Sequence, residues 1–152
     1  MTKQRNQLDP YSAPTSFRAY IYDSVILKWE TAGAAAATDD KFNSKRLEKT
    51  LNVKLMAFRK LQEIQMSEDR QDPDGEFLYF YYSSPANQSL FKTLRNTFAH
   101  GHYRIGKRRW IVLKHKFKGP RDKHEMVRLY GQMSIAKIKQ LISALAPVGE
   151  VG

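Results

Sequence analysis

Apolar residues recur at the three- and four-residue spacing of an α-helix in four stretches of this 152-residue chain. Such a stripe is typical of a helix that lies with one face against a core. The pattern predicts helices at 17–37, 43–64, 84–100 and 134–147. The second of these has the strongest amphipathic pattern, and we expect it to be one continuous core helix.

The period changes after the third predicted helix. Residues 110–117 are rich in β-branched residues and partly alternate, which indicates a strand, and a turn at 118–122 leads to a second strand at 125–130. The apolar run 77–82 leaves two alternatives open, a short strand or the approach to the next helix. An unbroken apolar run favours burial in the core or in a dimer interface over a platform for stacking bases.

These elements predict a mainly α fold, a bundle of four to five helices with a small β-hairpin before the last helix. The length suits a single domain. We place this domain at 17–147, between a flexible N-terminal arm at 1–16 and a flexible tail at 148–152.

Charge is concentrated in one part of the chain. The formal net charge is +11, yet residues 1–89 hold 12 basic and 12 acidic residues. Residues 90–140 hold 14 basic residues and only two acidic ones. A polyanionic partner would therefore be attracted to the second half of the chain.

Two absences narrow the function classes. The chain has no cysteine, which excludes disulfides, thiol catalysis and cysteine-type zinc sites. It shows no signal-peptide pattern and no apolar run near the roughly 20 residues that span a bilayer. We therefore expect a soluble cytoplasmic protein that does not contact a membrane.

The most informative stretch is LRNTFAHGH at 94–102, where Gly101 is a natural helix stop. Arg95, Asn96 and His100 fall outside the apolar stripe of this helix. Asn96 and His100 share a face, and Arg95 is long enough to reach the same space. Arginine binds phosphate bidentately and imidazole transfers protons near neutral pH, so the trio suits phosphate chemistry.

The sequence RNTFAH at 95–100 resembles the R-x(4–6)-H motif of the HEPN superfamily, in which a polar residue, often asparagine, follows the arginine. The surrounding LRNTFAHG is close to the form in prokaryotic HEPN ribonucleases. HEPN domains are small helical bundles, and many are metal-independent endoribonucleases that act as dimers. The resemblance implies a HEPN-like bundle without cofactor or metal, in which Arg95 holds the phosphate, His100 transfers a proton, and Asn96 orients His100 or adds a hydrogen bond.

The resemblance also implies the reaction and the partners. RNA would be cleaved through attack of its own 2′-hydroxyl, in a homodimer formed through the motif helix, as a toxin or anti-phage effector that an antitoxin protein could restrain. The basic residues in and after the motif are the expected RNA contacts: Lys92, His102, Arg104, Lys107, Arg108 and Arg109.

Several other interpretations stay open. Arg95 could be neutralised by a carboxylate of another helix, and His100 could simply cap its helix. His115 and His124 are expected to face each other across the hairpin or to point to solvent. The main functional alternative is a catalytically inactive HEPN-like dimer that binds RNA or a nucleotide. A small DNA-binding protein ranks last, because no helix-turn-helix pattern is present.

Overall fold

A computed structural model describes residues 8–33, 44–68, 74–83, 86–120 and 123–145. Within these ranges the α-helices are α1 Thr15–Ile21, α2 Leu27–Ala32, α3 Ser44–Leu51, α4 Leu61–Glu68, α5 Ala86–Ala99 and α6 Ile135–Leu145. A π-helical turn, Tyr22–Ile26, joins α1 to α2, and short 3₁₀ turns lie at Pro10–Ser12 and Lys107–Arg109. The strands are β1 Lys54–Phe58, β2 Phe77–Tyr81, β3 Tyr103–Ile105, β4 Ile111–Phe117 and β5 Met126–Met133.

The strands form one mixed sheet in the order β1-β2-β5-β4-β3. β1 and β2 are parallel, and the other neighbours are antiparallel. The protein is therefore an α/β fold, and the predicted mainly α bundle is wrong. Of the predicted strand structure, the hairpin before the last helix is confirmed as β4 and β5.

The largest error concerns the continuous helix predicted at 43–64. α3 ends at Leu51, Asn52 has a positive φ of 56°, and the chain continues as β1 before α4 begins. Leu51, Val53 and Leu55 are all buried at a spacing of two. The same leucines fit a helical stripe, and pairing with β2 is what selects the strand.

The apolar run 77–82 contains β2, which lies between β1 and β5. Leu78 and Phe80 belong to the main core, whereas Phe77 and Tyr79 belong to a second core beneath α4. A strand buried on both faces has a continuous apolar sequence. Of the two burial sites expected for this run, the core is confirmed for residues 77–80.

The two faces of the sheet are covered differently. The main core joins one face to α1, α5 and α6, and the second core joins Ile64 of α4 to Val127 and Tyr130 of β5. α4 packs on β1, β2 and β5. The second face of β3 and of the adjoining part of β4 is left for the cleft described below.

The predicted N-terminal arm is described from Leu8 onward, and this part packs on the sheet. Ala13 is buried, and the backbone N–H of Ile105 donates to Ser12 Oγ at 2.8 Å. The alanine run at 34–37, the predicted helix start at 84–85 and the tail at 148–152 lie outside the described residues. No helix in the described ranges has the length and apolar character to cross a bilayer.

Candidate functional site

The motif helix α5 ends as the sequence predicts. Gly101 has a φ of +69°, a conformation in which glycine has no steric penalty. The N–H of His102 donates to the Thr97 carbonyl at 2.9 Å, and that of Gly101 to Phe98 at 3.2 Å. This glycine-type termination satisfies carbonyls at the helix end and directs the chain into β3.

The predicted apolar stripe of α5 is confirmed, since each of its residues is at most 4% exposed: Leu90, Phe91, Leu94 and Phe98. With this face against the core, Arg95 and Asn96 are half-buried, and His100 is exposed. The three motif residues therefore lie together on the outer side of the helix end.

The guanidinium of Arg95 has partners on two elements. Its Nη1 donates to Asn96 Oδ1 at 3.0 Å, and its Nη2 lies 3.4 Å from Glu30 Oε1 on α2. The alternative in which a carboxylate of another helix pairs with Arg95 is thus realised. The pair is loose and partly exposed, with 51% of the Glu30 side chain accessible. Such partly exposed pairs contribute little to stability.

A further atom of Arg95 is unsatisfied. Its Nε is buried and has no hydrogen-bond partner. Unpaired buried donors are uncommon in folded proteins and carry a free-energy cost. Rotation of the guanidinium away from Glu30 would present Nε and Nη2 together, which is the edge that binds a phosphate bidentately.

The Asn96 side chain contacts Arg95, and its link to His100 among the described residues is the helical backbone bond, in which the His100 N–H donates to the Asn96 carbonyl at 3.0 Å. Its side-chain oxygen accepts from the guanidinium and restricts the orientation of that group. The geometry therefore makes Asn96 a positioning residue for the cation. The family resemblance instead implied that Asn96 orients His100 or adds a hydrogen bond.

Three imidazoles meet where α5 leads into β3. The His100 and His115 rings are stacked, with centroids 6.1 Å apart and planes inclined by 9°. The His102 ring lies 5.8 Å from that of His100 and 5.0 Å from that of His115. The Nδ1 atoms of His102 and His115 are 2.9 Å apart, so one of them carries the hydrogen that the other accepts.

His115 was expected to face His124 or solvent, and both expectations are wrong. It is 3% exposed, and it lies on the same side of β4 as the buried Ile111 and Leu113. A register shift between His115 and Lys116 interrupts the pairing of β4 with β5 at this point. Alternation along 111–115 was a usable signal for this burial, because it places residue 115 with the two apolar ones.

Burial and mutual repulsion keep two of these rings neutral. Burial lowers the pKa of His115 to about 4, aided by the nearby charges of His102, His100 and Arg128. Burial also lowers the pKa of His102, with a further contribution from His100, whereas Glu125 acts in the opposite direction. At neutral pH the hydrogen bond therefore joins two neutral imidazoles.

A cleft of about 580 Å³ lies beside this cluster, on the second face of the sheet. The even-numbered residues of β4 point into it, as strand alternation requires. Its lining carries three cations and a single carboxylate, and it comprises Leu8, His102, Arg104, Val112, Lys114, Lys116 and Glu125. Lys114 also pairs with Glu68 of α4. The site residues predicted from the sequence did not include Lys114, Lys116 or Glu125.

The remaining predicted RNA contacts are divided between two places. Lys92 is exposed on α5, one turn before Asn96 and on the same face. Residues 107–109 form the turn at the other end of the β3–β4 hairpin, where Arg108 donates to the Asp74 carbonyl at 3.0 Å and lies over the Trp110 ring. A three-residue strand, on the order of 10 Å long, separates this turn from His102.

The cluster offers donors and proton carriers to an anion. One guanidinium, held by an amide, lies on the same helix end as an exposed imidazole, and two further imidazoles adjoin it. No group of three or more potential metal ligands occurs among the described residues. Comparisons with family models, curated proteins and solved structures return no match for this chain.

Proposed function

We propose that this protein is a metal-independent endoribonuclease of the HEPN type. The observation that carries the proposal is the grouping of Arg95, Asn96 and exposed His100 at one helix end. A second imidazole adjoins them, since the ring centroids of His100 and His102 are 5.8 Å apart. Phosphodiester transfer needs a cation for the phosphate and groups that move two protons. Support for the proposal therefore comes from the local site and the motif alone, because the α/β fold differs from the helical bundle of HEPN domains.

The proposed reaction uses the RNA's own nucleophile. The ribose 2′ oxygen attacks the adjacent phosphorus as its proton passes to a base, and the P–O5′ bond breaks as the 5′ oxygen receives a proton from an acid. The products are a 2′,3′-cyclic phosphate and a 5′-hydroxyl. Arg95 stabilises the charge that develops on the phosphoryl oxygens, Asn96 holds Arg95, and His100 transfers one of the protons.

The charges around the site favour an RNA substrate. Lys92 lies on the same helix, and the cleft beside His102 carries Arg104, Lys114 and Lys116. Cations along such a surface bind the phosphates that flank the scissile bond, and they make affinity depend on salt. DNA lacks the 2′-hydroxyl that the reaction requires, so binding of DNA would not lead to cleavage.

We further propose that two chains pair through α5, so that two Arg95–His100 sets share one groove, in a toxin or defence protein that an antitoxin can restrain. Size-exclusion chromatography tests the pairing. Mixing the inactive Arg95→Ala and His100→Ala variants tests the shared groove: recovered cleavage is expected if each site draws residues from both chains. A monomer at micromolar concentration would contradict this arrangement.

Cleavage itself is tested on a mixed RNA in the presence of a chelator. We expect the wild type to leave 2′,3′-cyclic phosphate ends, and Arg95→Ala and His100→Ala each to lose about 10²-fold or more in rate. Lys49→Ala and His124→Ala remove exposed residues outside the site and serve as controls. A requirement for Mg²⁺, or variants that cleave like the wild type, would contradict the proposal.

The alternative function is a catalytically inactive dimer that binds RNA or a nucleotide. The contact of Arg95 with Glu30 and Asn96 favours this alternative, because both contacts engage the cation before any substrate binds. Tight RNA binding by the wild type without cleavage, at any protein concentration, would support it over the enzyme.

A further inference from the structure

The acid and base of the reaction pose a problem that the three-histidine cluster can solve. In-line transfer moves one proton from the 2′-hydroxyl and another to the 5′ oxygen, and one imidazole per motif supplies only one such group. The shared groove proposed above would take the second from another chain. The structure holds a second accessible imidazole, that of His102, within the same chain.

We propose that His102, positioned by buried His115, is the general base for the 2′-hydroxyl, and that His100 is the acid for the leaving 5′ oxygen. This inference rests on the proposed ribonuclease function. The protons balance within one chain: His102 Nε2 gains the 2′ proton, His100 gives one to the 5′ oxygen, and the electron pair of the P–O5′ bond stays on that oxygen.

The hydrogen bond between the two rings supports this assignment. Because His102 Nδ1 is engaged with His115 Nδ1 at 2.9 Å, its Nε2 is the ring nitrogen left for a substrate. If His102 carries the shared hydrogen on Nδ1, its Nε2 has a lone pair and can act as a base. His115 then serves as the acceptor that fixes this tautomer, as second partners of catalytic histidines do elsewhere.

Position and burial agree with these roles. His102 lines the basic cleft, so it adjoins both the proposed path of the RNA backbone and His100. Buried His115 has no such access, and its lowered pKa means that it does not take the proton from His102.

Charged and titratable groups from several elements surround this pair and enter any pH dependence. His100 follows α5, Arg104 lies on β3, and Lys114 and Lys116 lie on β4, while Glu125 precedes β5 and Arg128 lies on it. Burial is the main reason why the pKa of His102 is lowered and its neutral form favoured, with a further contribution from His100, whereas Glu125 acts in the opposite direction. A neutral ring at neutral pH is the form that a general base requires.

Single-turnover and steady-state cleavage by purified variants of the 152-residue chain test the assignment. Loss of a general acid or base typically costs 10²–10⁴-fold in rate. We therefore expect the cleavage rate of His102→Ala to fall about as far as that of His100→Ala, while the affinity for RNA changes less than threefold. We expect His115→Leu to lower kcat about tenfold with KM preserved. His115→Gln keeps an amide oxygen that can accept from His102 Nδ1, and it should restore part of that loss.

Nitrogen-detected NMR of the histidine rings provides a readout independent of cleavage and also shows whether each variant is folded. We expect His102 to be the Nδ1–H tautomer in the wild type and in His115→Gln, and to become a tautomeric mixture in His115→Leu. His124→Ala is the matched control and should leave rates and tautomers unchanged. The acid limb of the pH–rate profile should disappear in His102→Ala.

The outcomes separate this inference from the function on which it rests. If His100→Ala abolishes cleavage and His102→Ala does not, the base assignment is wrong and the ribonuclease stands. If the wild type binds RNA and never cleaves it, both fail. A wild-type His102 ring with its hydrogen on Nε2 overturns the inference whatever the cleavage assay gives. Recovered cleavage in a mixture of His100→Ala and His102→Ala chains would also overturn it, since acid and base would then come from different chains.

Discussion

The Nδ1 atoms of His102 and His115 lie 2.9 Å apart, although the two residues are 13 positions apart in sequence. The His102 ring follows the motif helix and lines an open cleft, whereas the His115 ring, on β4, is buried. The contact couples the candidate site to the core of the sheet. It therefore gives the protein a dependence on pH that involves both stability and site geometry.

The first prediction concerns stability against pH. The pKa of His115 is about 4 in the folded protein, below the value near 6.5 of an unfolded histidine. Between these values the unfolded chain binds a proton that the folded chain does not, so stability falls as the pH falls through this window. Above about pH 6.5 His115 is neutral in both states and the protein keeps its full free energy of unfolding. By pH 4 that free energy is lower by on the order of 3 kcal/mol.

Urea unfolding at pH 7 and pH 4.5 measures this effect. We expect His115→Leu to lose less stability than the wild type between the two pH values, by about 2 kcal/mol. His124→Leu alters an exposed histidine of the same hairpin and should keep the wild-type dependence. Equal pH dependence in the wild type and His115→Leu would show that His115 is not the responsible group.

The second prediction concerns the carboxylate beside Arg95. Glu30→Gln removes the anion that lies 3.4 Å from the guanidinium, and so frees Arg95 for a phosphate. We expect RNA to bind two- to fivefold more tightly, with a change in unfolding free energy under about 1 kcal/mol, because exposed pairs contribute little. Glu63→Gln on α4 removes an equal charge away from Arg95. Weaker binding in Glu30→Gln alone would mean that Glu30 positions Arg95 productively.

The third prediction separates two roles for Asn96. Its amide oxygen accepts from Arg95 at 3.0 Å, so its removal should loosen the cation and leave proton transfer intact. We expect Asn96→Ala to raise KM several-fold with the shape of the pH–rate profile unchanged. A shifted profile at normal KM would instead assign Asn96 to His100, as the sequence motif first implied.

The fourth prediction concerns the cleft. If Lys116 contacts an RNA phosphate, Lys116→Ala should lower affinity and reduce the slope of log K against log salt by about 0.7, the value for one contact to a single strand. Binding is measured in the His100→Ala background, which prevents cleavage. Lys49→Ala, on α3, loses the same charge outside the cleft and should keep the slope. An unchanged slope in Lys116→Ala would place the RNA elsewhere.

The fifth prediction tests the sheet that replaces the expected bundle. Gly131 of β5 pairs with Leu78 of β2. A Cβ at Gly131 would overlap the Phe77 carbonyl oxygen and would lie 2.9 Å from Leu78 Cα. Gly131→Ala should therefore lower the unfolding free energy by about 2–3 kcal/mol or more, because backbone atoms cannot move aside. A Cβ at Gly75 meets no atom within 4 Å, so Gly75→Ala should be nearly neutral in the same denaturation assay.

Local signals predicted part of the site well. The stripe of α5, its end at Gly101 and the outward position of Arg95, Asn96 and His100 all follow from helix period and glycine chemistry. The hairpin of β4 and β5 and the last helix are likewise confirmed. These features depend on interactions between residues a few positions apart in the chain, and the sequence alone is enough to predict such local interactions.

Local sequence patterns could not predict contacts between segments that lie far apart in the sequence. Whether residues 54–58 form a helix or a strand depends on the partner at 77–81, and the leucine spacing there fits both. Glu30 meets Arg95 across 65 positions, and His115 meets His102 only because β3 returns against β4. The amino-acid order thus determined the helix end that presents the motif and the excess of positive charge that follows it. Only the tertiary structure decided the sheet and the imidazole that adjoins His100, because strand pairing and burial are set by parts of the chain that local pattern does not connect.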